Sequence, residues 1–396
     1  MTPPGTASNR RAESQLSLAI WLSAIVAMTL ISVFFSYQFA RVQTIWIDET
    51  TQMSGLTLSI PDLFRWLAGE NQGRFGVPGD RMPPLSYMLG MAWASVFGLS
   101  EFPMRLFGLF VSSIGLIPFA ASLRMISQRR ASVLLFLLFA LSPNFITTSV
   151  EIRAYPLFLT LASTGTWLLI VYSDASQRPS QRFVPYAMAL VGIAAAYTHF
   201  FGVIFGGCFL GAAFVVDLSR RQINGHLIAA GFMFLVLIGG LLPFIAGASS
   251  LSASGDVAAP TASDYVRMLY RLIAGPAFYV YPVFLVLYFI GILLVLSGVA
   301  EKTVHAIGRL IYHKSADGIN YVVLGLVMLI ASGVLVTFFS SFFIKNFSVL
   351  RPNYSVWMTP AVFLLLATGL STAYGAKIIV RLVNVGLALA VTGFIV

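Results

Sequence analysis

The chain alternates between long apolar runs and short polar stretches. A membrane crossing needs roughly 17–25 mostly apolar residues. About eleven runs fit: 16–40, 102–123, 132–150, 156–172, 183–200, 202–216, 227–246, 277–299, 321–343, 355–374 and 377–396. In a bilayer interior, runs of this kind satisfy their backbone groups as helices. The pattern therefore predicts an all-α polytopic membrane protein with about eleven transmembrane helices. Residues 41–101 form the first long polar segment. Within it, Ser59-Ile60-Pro61-Asp62 reads as a helix start, with Ser at the cap and Pro and Asp in the first turn. Leu63, Phe64, Trp66 and Leu67 would press that short helix onto the membrane surface. Residues 85–99 are apolar but short and follow Pro83-Pro84.

Charge decides how 85–99 is read. If this stretch lies along the interface, one set of loops collects Arg10, Arg11, Arg124, Arg129, Arg130, Arg220 and Arg221 with few acids. The other set holds Asp48, Glu49, Asp80, Glu101 and Glu151 with a similar number of bases. That is the positive-inside pattern. It places the amino terminus inside and the 41–101 loop outside, with 85–99 as an interfacial helix. A bacterial inner membrane, with the loop facing the periplasm, suits this arrangement. The Ser/Ala/Gly-rich start of 248–276 predicts a mobile outer loop. A short amphipathic helix follows it, carrying Arg267 and Arg271 on one face.

Composition agrees with the pattern. Hydrophobic residues make up 58% and charged residues 10% of the chain, against roughly a quarter charged in soluble domains. The net charge of +10 sits in short clusters between spans, which sets topology and argues against a nucleic-acid partner. Cys208 is the single cysteine, so an intramolecular disulfide or a multi-cysteine metal site is excluded.

The candidate chemistry gathers at loop positions. Asp48-Glu49 lies just past the first span. A carboxylate there is solvated, paired or used. The pair is either an interfacial helix cap or a general base, with metal binding as a further option. Glu151-Ile152-Arg153-Ala154-Tyr155 is either an interfacial Glu–Arg pair with a headgroup-level Tyr, or a phosphate-binding Arg beside a reaction centre. His199, at a span end, is more often a hydrogen-bonded structural residue than a ligand. It enters a metal set only with Asp48, Glu49 or Glu151 nearby. Arg81 precedes the Pro-Pro pair, and Arg351 and Tyr354 precede the 355–374 span. Such cations either snorkel to lipid phosphates or hold a phosphate leaving group. The sequence holds no glycine-rich phosphate loop, no Gly-x-Ser-x-Gly and no His-Glu-x-x-His. A donor would arrive within the membrane. A transporter or flippase is the competing class, but midplane charges and internal repeats are missing from the pattern.

The ordered set of motifs resembles a family. It comprises Asp48-Glu49, Pro83-Pro84-Leu85 with Tyr87, and Phe102 and Arg105 with Leu106. Glu151-x-Arg153-x-Tyr155, Tyr197-Thr198-His199-x-Phe201-Gly202 and the Tyr354 to Pro360 spacing complete it. Together they look like the GT-C membrane glycosyltransferases, in the branch of the protein O-mannosyltransferases and the lipid A aminoarabinose transferase. The resemblance covers almost the whole chain. It implies a helical membrane bundle with surface-lying helices in the first outer loop. It also implies transfer of a sugar from a polyisoprenyl-phosphate donor to a lipid, glycan or protein acceptor on the outer face, and it matches Asp48 to the family's catalytic acid. Met82 stands where a His commonly precedes the Pro-Pro pair, and Asn353 where an Arg commonly precedes the Tyr. Many relatives continue into an outer soluble domain. Here residues 1–396 are expected to form one membrane domain without a soluble carboxy-terminal domain.

A mechanism follows from that resemblance. Asp48 would deprotonate the acceptor hydroxyl, with Glu49 orienting acceptor or backbone. Arg153, Arg351, Arg267 or Arg271, or a bound divalent cation, would stabilise the leaving phosphate. Glu151, Tyr155, His199, Arg81 and Tyr354 complete the candidate site. One base without a second nucleophilic carboxylate suggests single displacement with inversion.

Overall fold

The computed structural model describes residues 6–70, 76–127, 129–174, 182–250, 261, 318–343 and 355–370. Among them, helix is the only regular structure. The chain is a polytopic helical membrane protein. Helix α1 (Thr6–Val42) leads into three shorter helices, α2 (Ile47–Gly55), α3 (Ile60–Leu67) and α4 (Leu85–Phe97). Then come α5 (Glu101–Ile126), α6 (Arg129–Ala140), α7 (Pro143–Ser149), α8 (Tyr155–Asp174), α9 (Val184–Thr198) and α10 (Phe201–Ser219). After α11 (Gly225–Ile238), α12 (Leu242–Ser250) follows, and α13 (Gly318–Phe343) and α14 (Thr359–Leu370) close the described bundle. Among the described residues, six helical stretches are long and apolar enough to cross a membrane, and α4, α9 and residues 356–368 are shorter apolar helices. The expected spans 277–299 and 377–396 lie outside the described residues.

Burial separates centre from rim. In α8, 72% of the most apolar window is buried inside the protein, against 17% in α1. Helix α8 is the hub, and α1 offers Ile20, Val26, Leu30 and Phe34 to lipid. Small residues let α5 and α8 meet closely. A Cβ on Gly115 would lie 2.8 Å from Thr160 Oγ1, and one on Gly108 would lie 2.7 Å from the Ser149 carbonyl. Thr160 Oγ1 donates to the Val111 carbonyl across the same seam at 2.8 Å. Without a hydrophobic force between helices in lipid, such backbone approach and interhelical hydrogen bonding hold the bundle together.

One expected span is broken and a second is interrupted while still long enough to cross, each for a visible reason. The 132–150 run divides at Leu141-Ser142. Ser142 caps α7 through the Phe145 amide at 3.1 Å, and Pro143 occupies the first turn. Proline has no N–H to continue the α6 ladder. The 227–246 run passes through a 3-10 turn, Gly239–Leu241, before α12. Tyr197 Oη catches the Leu237 carbonyl there at 3.0 Å. Helix α3 also departs from expectation. Its cap is the expected one, with Ser59 Oγ accepting from the Asp62 amide. Its apolar face, however, turns into the protein: Leu63, Trp66 and Leu67 are buried. Trp66 packs edge-on against Tyr87, and Phe64 meets Phe244 of α12. The protein's own side chains cover those three, while Phe64 stays exposed.

The helices alternate direction, so the turns at 43–46, 98–100, 150–154 and 199–200 collect at one end of the bundle. The acidic residues Asp48, Glu49, Asp80, Glu101 and Glu151 gather at this end. Arg124, Arg129, Arg182, Arg220 and Arg221 lie toward the other. Helix α4 has 13 residues and rises about 20 Å, short of the roughly 30 Å hydrocarbon core. It lies on the start of α5, where Trp93 Nε1 donates to the Pro103 carbonyl at 2.9 Å.

Candidate active site

The site begins at the first turn of α2. Consecutive helical side chains point about 100° apart, so Asp48 and Glu49 diverge. Glu49 turns inward and is fully buried. Its Oε1 accepts from Arg105 Nη1 at 3.0 Å and from the Ile152 amide at 2.9 Å. Its Oε2 accepts from Arg105 Nη2 at 3.1 Å and from the Trp46 amide at 3.3 Å. Arg105 is equally buried and equally occupied. Its Nε and Nη2 reach Glu101 Oε1 at 3.0 and 2.8 Å, and Nη1 also donates to the Val150 carbonyl at 3.1 Å. A carboxylate holding four donors has nothing left for a metal or a substrate hydroxyl.

Asp48 is the opposite case. It is half-buried. Among the described residues its carboxylate makes no hydrogen bond and no ion pair; only its backbone carbonyl is engaged, accepting from Arg153 Nη1 at 2.9 Å.

Arg153 ties that backbone to a second buried group. The same Nη1 donates to Asp80 Oδ2 at 2.8 Å. Tyr87 Oη donates to Asp80 Oδ2 at 2.6 Å, and the Arg81 amide donates to Asp80 Oδ1 at 2.8 Å. Burial works against the Arg153 charge, but Asp80, with Tyr155, Tyr87 and Asp48, more than offsets it and holds the guanidinium protonated. Burial, then the Asp80 carboxylate, pushes the Tyr87 phenol well up. One edge of Arg153 is left over: its Nε is buried and has no hydrogen-bond partner among the described residues.

Glu151 and His199 flank the pair. Burial, then the carboxylates of Glu49 and Asp48, push Glu151 up to about 8, opposed by Arg153 and Arg105. Glu151 therefore carries its proton at neutral pH. Burial and then the Arg153 charge push His199 down to about 3, so the ring is neutral. Its Nδ1 accepts from the Phe201 amide at 3.1 Å. Phe158 stacks on it with ring planes 4° apart, and Tyr155 lies 5.4 Å away, centroid to centroid.

The structure thus brings Asp48, Glu49, Glu151, Arg153, Tyr155 and His199 into one region, from turns more than a hundred residues apart. Arg81 contributes a backbone amide, while the residue itself is exposed. Arg267, Arg271, Arg351 and Tyr354 lie outside the described residues. Asp48, Glu49 and His199 do not form the metal set considered from the sequence, because Glu49 is consumed by Arg105 and two amides. Among the described residues no group of three His, Cys, Asp or Glu is placed to hold a metal.

Sequence reasoning did not assign Asp80, Tyr87 or Arg105 a place in the site. Signals for them existed. Arg105 sits one turn after Glu101 at i, i+4 spacing, at the start of a long apolar helix where an unpaired cation is costly. Tyr87 and Asp80 flank the Pro-Pro pair. Nothing local in the sequence joins them to Arg153.

No protein-family model and no curated protein sequence matches the chain. Solved structures do. The crystal structure of ArnT from Cupriavidus metallidurans, bound to undecaprenyl phosphate, superposes with a TM-score of 0.58 at 14% identity, over 93% of this chain. This chain spans 63% of the length of that one. The same ArnT in the apo state gives a TM-score of 0.49 at 13% identity, over 89% of this chain and 77% of that one. The S. cerevisiae protein O-mannosyltransferase Pmt1-Pmt2 complex, bound to the sugar donor, gives 0.40 at 14% identity, over 65% and 37%.

Proposed function

From the GT-C fold that this chain shares with ArnT, we propose that the protein is a membrane glycosyltransferase that takes its sugar from a polyisoprenyl-phosphate donor. The observation that carries the reading is the division of labour between two adjacent carboxylates. Glu49 is saturated, while Asp48 is half-buried and its carboxylate has no partner among the described residues, beside a buried cation whose Nε is unpaired among them. In this reading Asp48 takes the proton from the acceptor hydroxyl. The acceptor oxygen bonds to the anomeric carbon, and the bond from that carbon to the phosphate oxygen breaks. The lipid phosphate leaves with the electron pair. The Arg153 guanidinium would meet the charge that develops on that phosphate. With one free carboxylate and no nucleophilic partner beside it among the described residues, the displacement is single and inverts the anomeric centre.

The protonated Glu151 is an acid in this scheme and not a second base. It contributes a hydrogen-bond donor beside Asp48. An apolar crevice of about 450 Å³ between α1, α4 and α5, lined by Val33, Trp93, Phe97, Leu106, Leu109 and Phe110, supports lateral entry of an isoprenoid chain. Each CH₂ held in the bilayer is worth roughly 0.8 kcal/mol, so the donor's tail stays in the membrane throughout. The active end would face outward, by the positive-inside sorting of the loops. The acceptor is a lipid, glycan or protein hydroxyl.

The test is reconstitution of the purified protein in liposomes with two sets of donors, polyisoprenyl-phosphate sugars and nucleotide sugars. The reading expects release of polyisoprenyl phosphate in step with glycosylation of an added acceptor. Turnover from nucleotide sugars alone, or movement of the intact lipid-linked sugar between leaflets without cleavage, would replace it with a different class.

A further inference from the structure

We infer that Glu49 and Arg105 are positioning residues, a clamp that sets where Asp48 stands relative to Arg153; the inference rests on the glycosyltransferase reading above. The geometry is closed on both sides. Both Glu49 oxygens are taken by the Arg105 fork, and each also holds one backbone amide, Trp46 on one side and Ile152 on the other. Arg105 spends Nε, Nη1 and Nη2 on Glu49, Glu101 and the Val150 carbonyl. The clamp therefore joins three chain segments. These are the start of α2, the start of α5 and the corner between α7 and α8.

Those segments carry the reacting groups at fixed offsets. Asp48 is the residue before Glu49. Glu151 and Arg153 flank Ile152, whose amide Glu49 holds. Arg153 Nη1 in turn grips the Asp48 carbonyl at 2.9 Å. The peptide of Asp48 is thus held from two directions while its carboxylate is left free. A bidentate guanidinium–carboxylate pair fixes geometry as well as charge, which a lysine ammonium cannot reproduce. Helix α2 has only nine residues. A helix that short is marginal on its own, so its register depends on such tethers. Neither Glu49 nor Arg105 touches the reacting atoms, and both act through Asp48.

The prediction is a loss in kcat without a matching loss in donor affinity. A displacement near 1 Å costs up to about 10²-fold in rate. Glu49→Asp keeps the charge but shortens the reach by one methylene, and is expected to lower kcat roughly 10- to 100-fold with the donor KM within about threefold. Arg105→Lys is expected to behave similarly. The double variant Glu49→Leu with Arg105→Met removes both charges together, an exchange that buried pairs often tolerate without unfolding. It should remain folded and lose the same rate.

A second readout needs no turnover. Amide hydrogen exchange across 46–52 and 150–153 should speed up in both Glu49 variants while α8 and α10 exchange as in the wild type. Wild-type kcat in Glu49→Asp and in the double variant would overturn the clamp. So would unchanged exchange in those segments, or an equal loss in kcat/KM carried by KM. If the wild type itself transfers no sugar from any lipid-linked donor, the glycosyltransferase reading fails, and the exchange measurement still decides whether the clamp holds α2 in place.

Discussion

Replacing Asp80 by Asn removes one charge and almost no volume, at a point where three donors converge. Arg153 Nη1 lies 2.8 Å from Asp80 Oδ2, and the two side chains are 5% and 10% exposed. At an effective dielectric of about 20, charges at that distance attract by about 6 kcal/mol. Desolvation offsets part of this, and removing one partner of a buried pair costs about 3–5 kcal/mol. Asn has a single acceptor oxygen, so the Tyr87 hydroxyl and the Arg81 amide cannot both keep their bonds. A neutral hydrogen bond is worth about 0.5–1.5 kcal/mol. The expected loss in Asp80→Asn is therefore about 3–5 kcal/mol, read from the midpoint of reversible unfolding in mixed micelles. Exposed Glu70, changed to Gln, should stay within about 0.5 kcal/mol of wild type. The double variant Asp80→Leu with Arg153→Met should recover most of the stability, since an apolar pair of similar volume is often neutral. Asp80→Asn within about 1 kcal/mol of wild type would mean that Arg153 is solvated. The site geometry would then be wrong at its centre.

Other consequences follow from burial and packing. Glu151 keeps its proton up to about pH 8 in the folded protein, against 4.5 for an ordinary glutamate. Between those values the folded state binds more protons than the unfolded one, so stability falls as pH rises. Transfer by the wild type should decline above about pH 8 as Glu151 ionises beside Glu49 and Asp48. Glu151→Gln should lack that alkaline limb, and a flat wild-type profile up to about pH 10 would contradict the assignment. Gly115→Ala places a Cβ 2.8 Å from Thr160 Oγ1 and 2.9 Å from Thr160 Cα. Such overpacking costs about 1–3 kcal/mol, and a thermal midpoint equal to wild type would show that the α5–α8 seam yields.

The fold was legible because a membrane leaves apolar runs few choices. Hydropathy alone gave α5, α8, α10 and α13 close to their observed bounds, and the end of α1 but not its start. What it missed were interruptions carried by single residues, Ser142-Pro143 and Gly239-Gly240, inside runs that remain apolar throughout. The surface role expected for α3 failed for a related reason. Its stripe of Leu63, Trp66 and Leu67 says that something apolar covers it, and only the tertiary contacts of Tyr87 and Phe244 say what. In the candidate site, the ordered motifs fall on turns that meet at one end of the bundle. The residues alone left the roles of Asp48 and Glu49 open, because the two differ only in which way the first turn of α2 faces; the assignment of Asp48 came from the resemblance. Arg105 and Asp80 decide that orientation from other segments, and no local pattern links them to it.

In the proposed mechanism Asp48 removes the acceptor proton. Single-turnover transfer from a preloaded polyisoprenyl-phosphate sugar, compared between wild type and Asp48→Asn in the same liposomes, tests it most directly. Asn keeps the shape and cannot accept the proton, and loss of a positioned base costs on the order of 10²–10⁴ in rate. A loss of that size is expected in Asp48→Asn, with the protein folded and donor binding retained. Transfer by Asp48→Asn at the wild-type rate would contradict it.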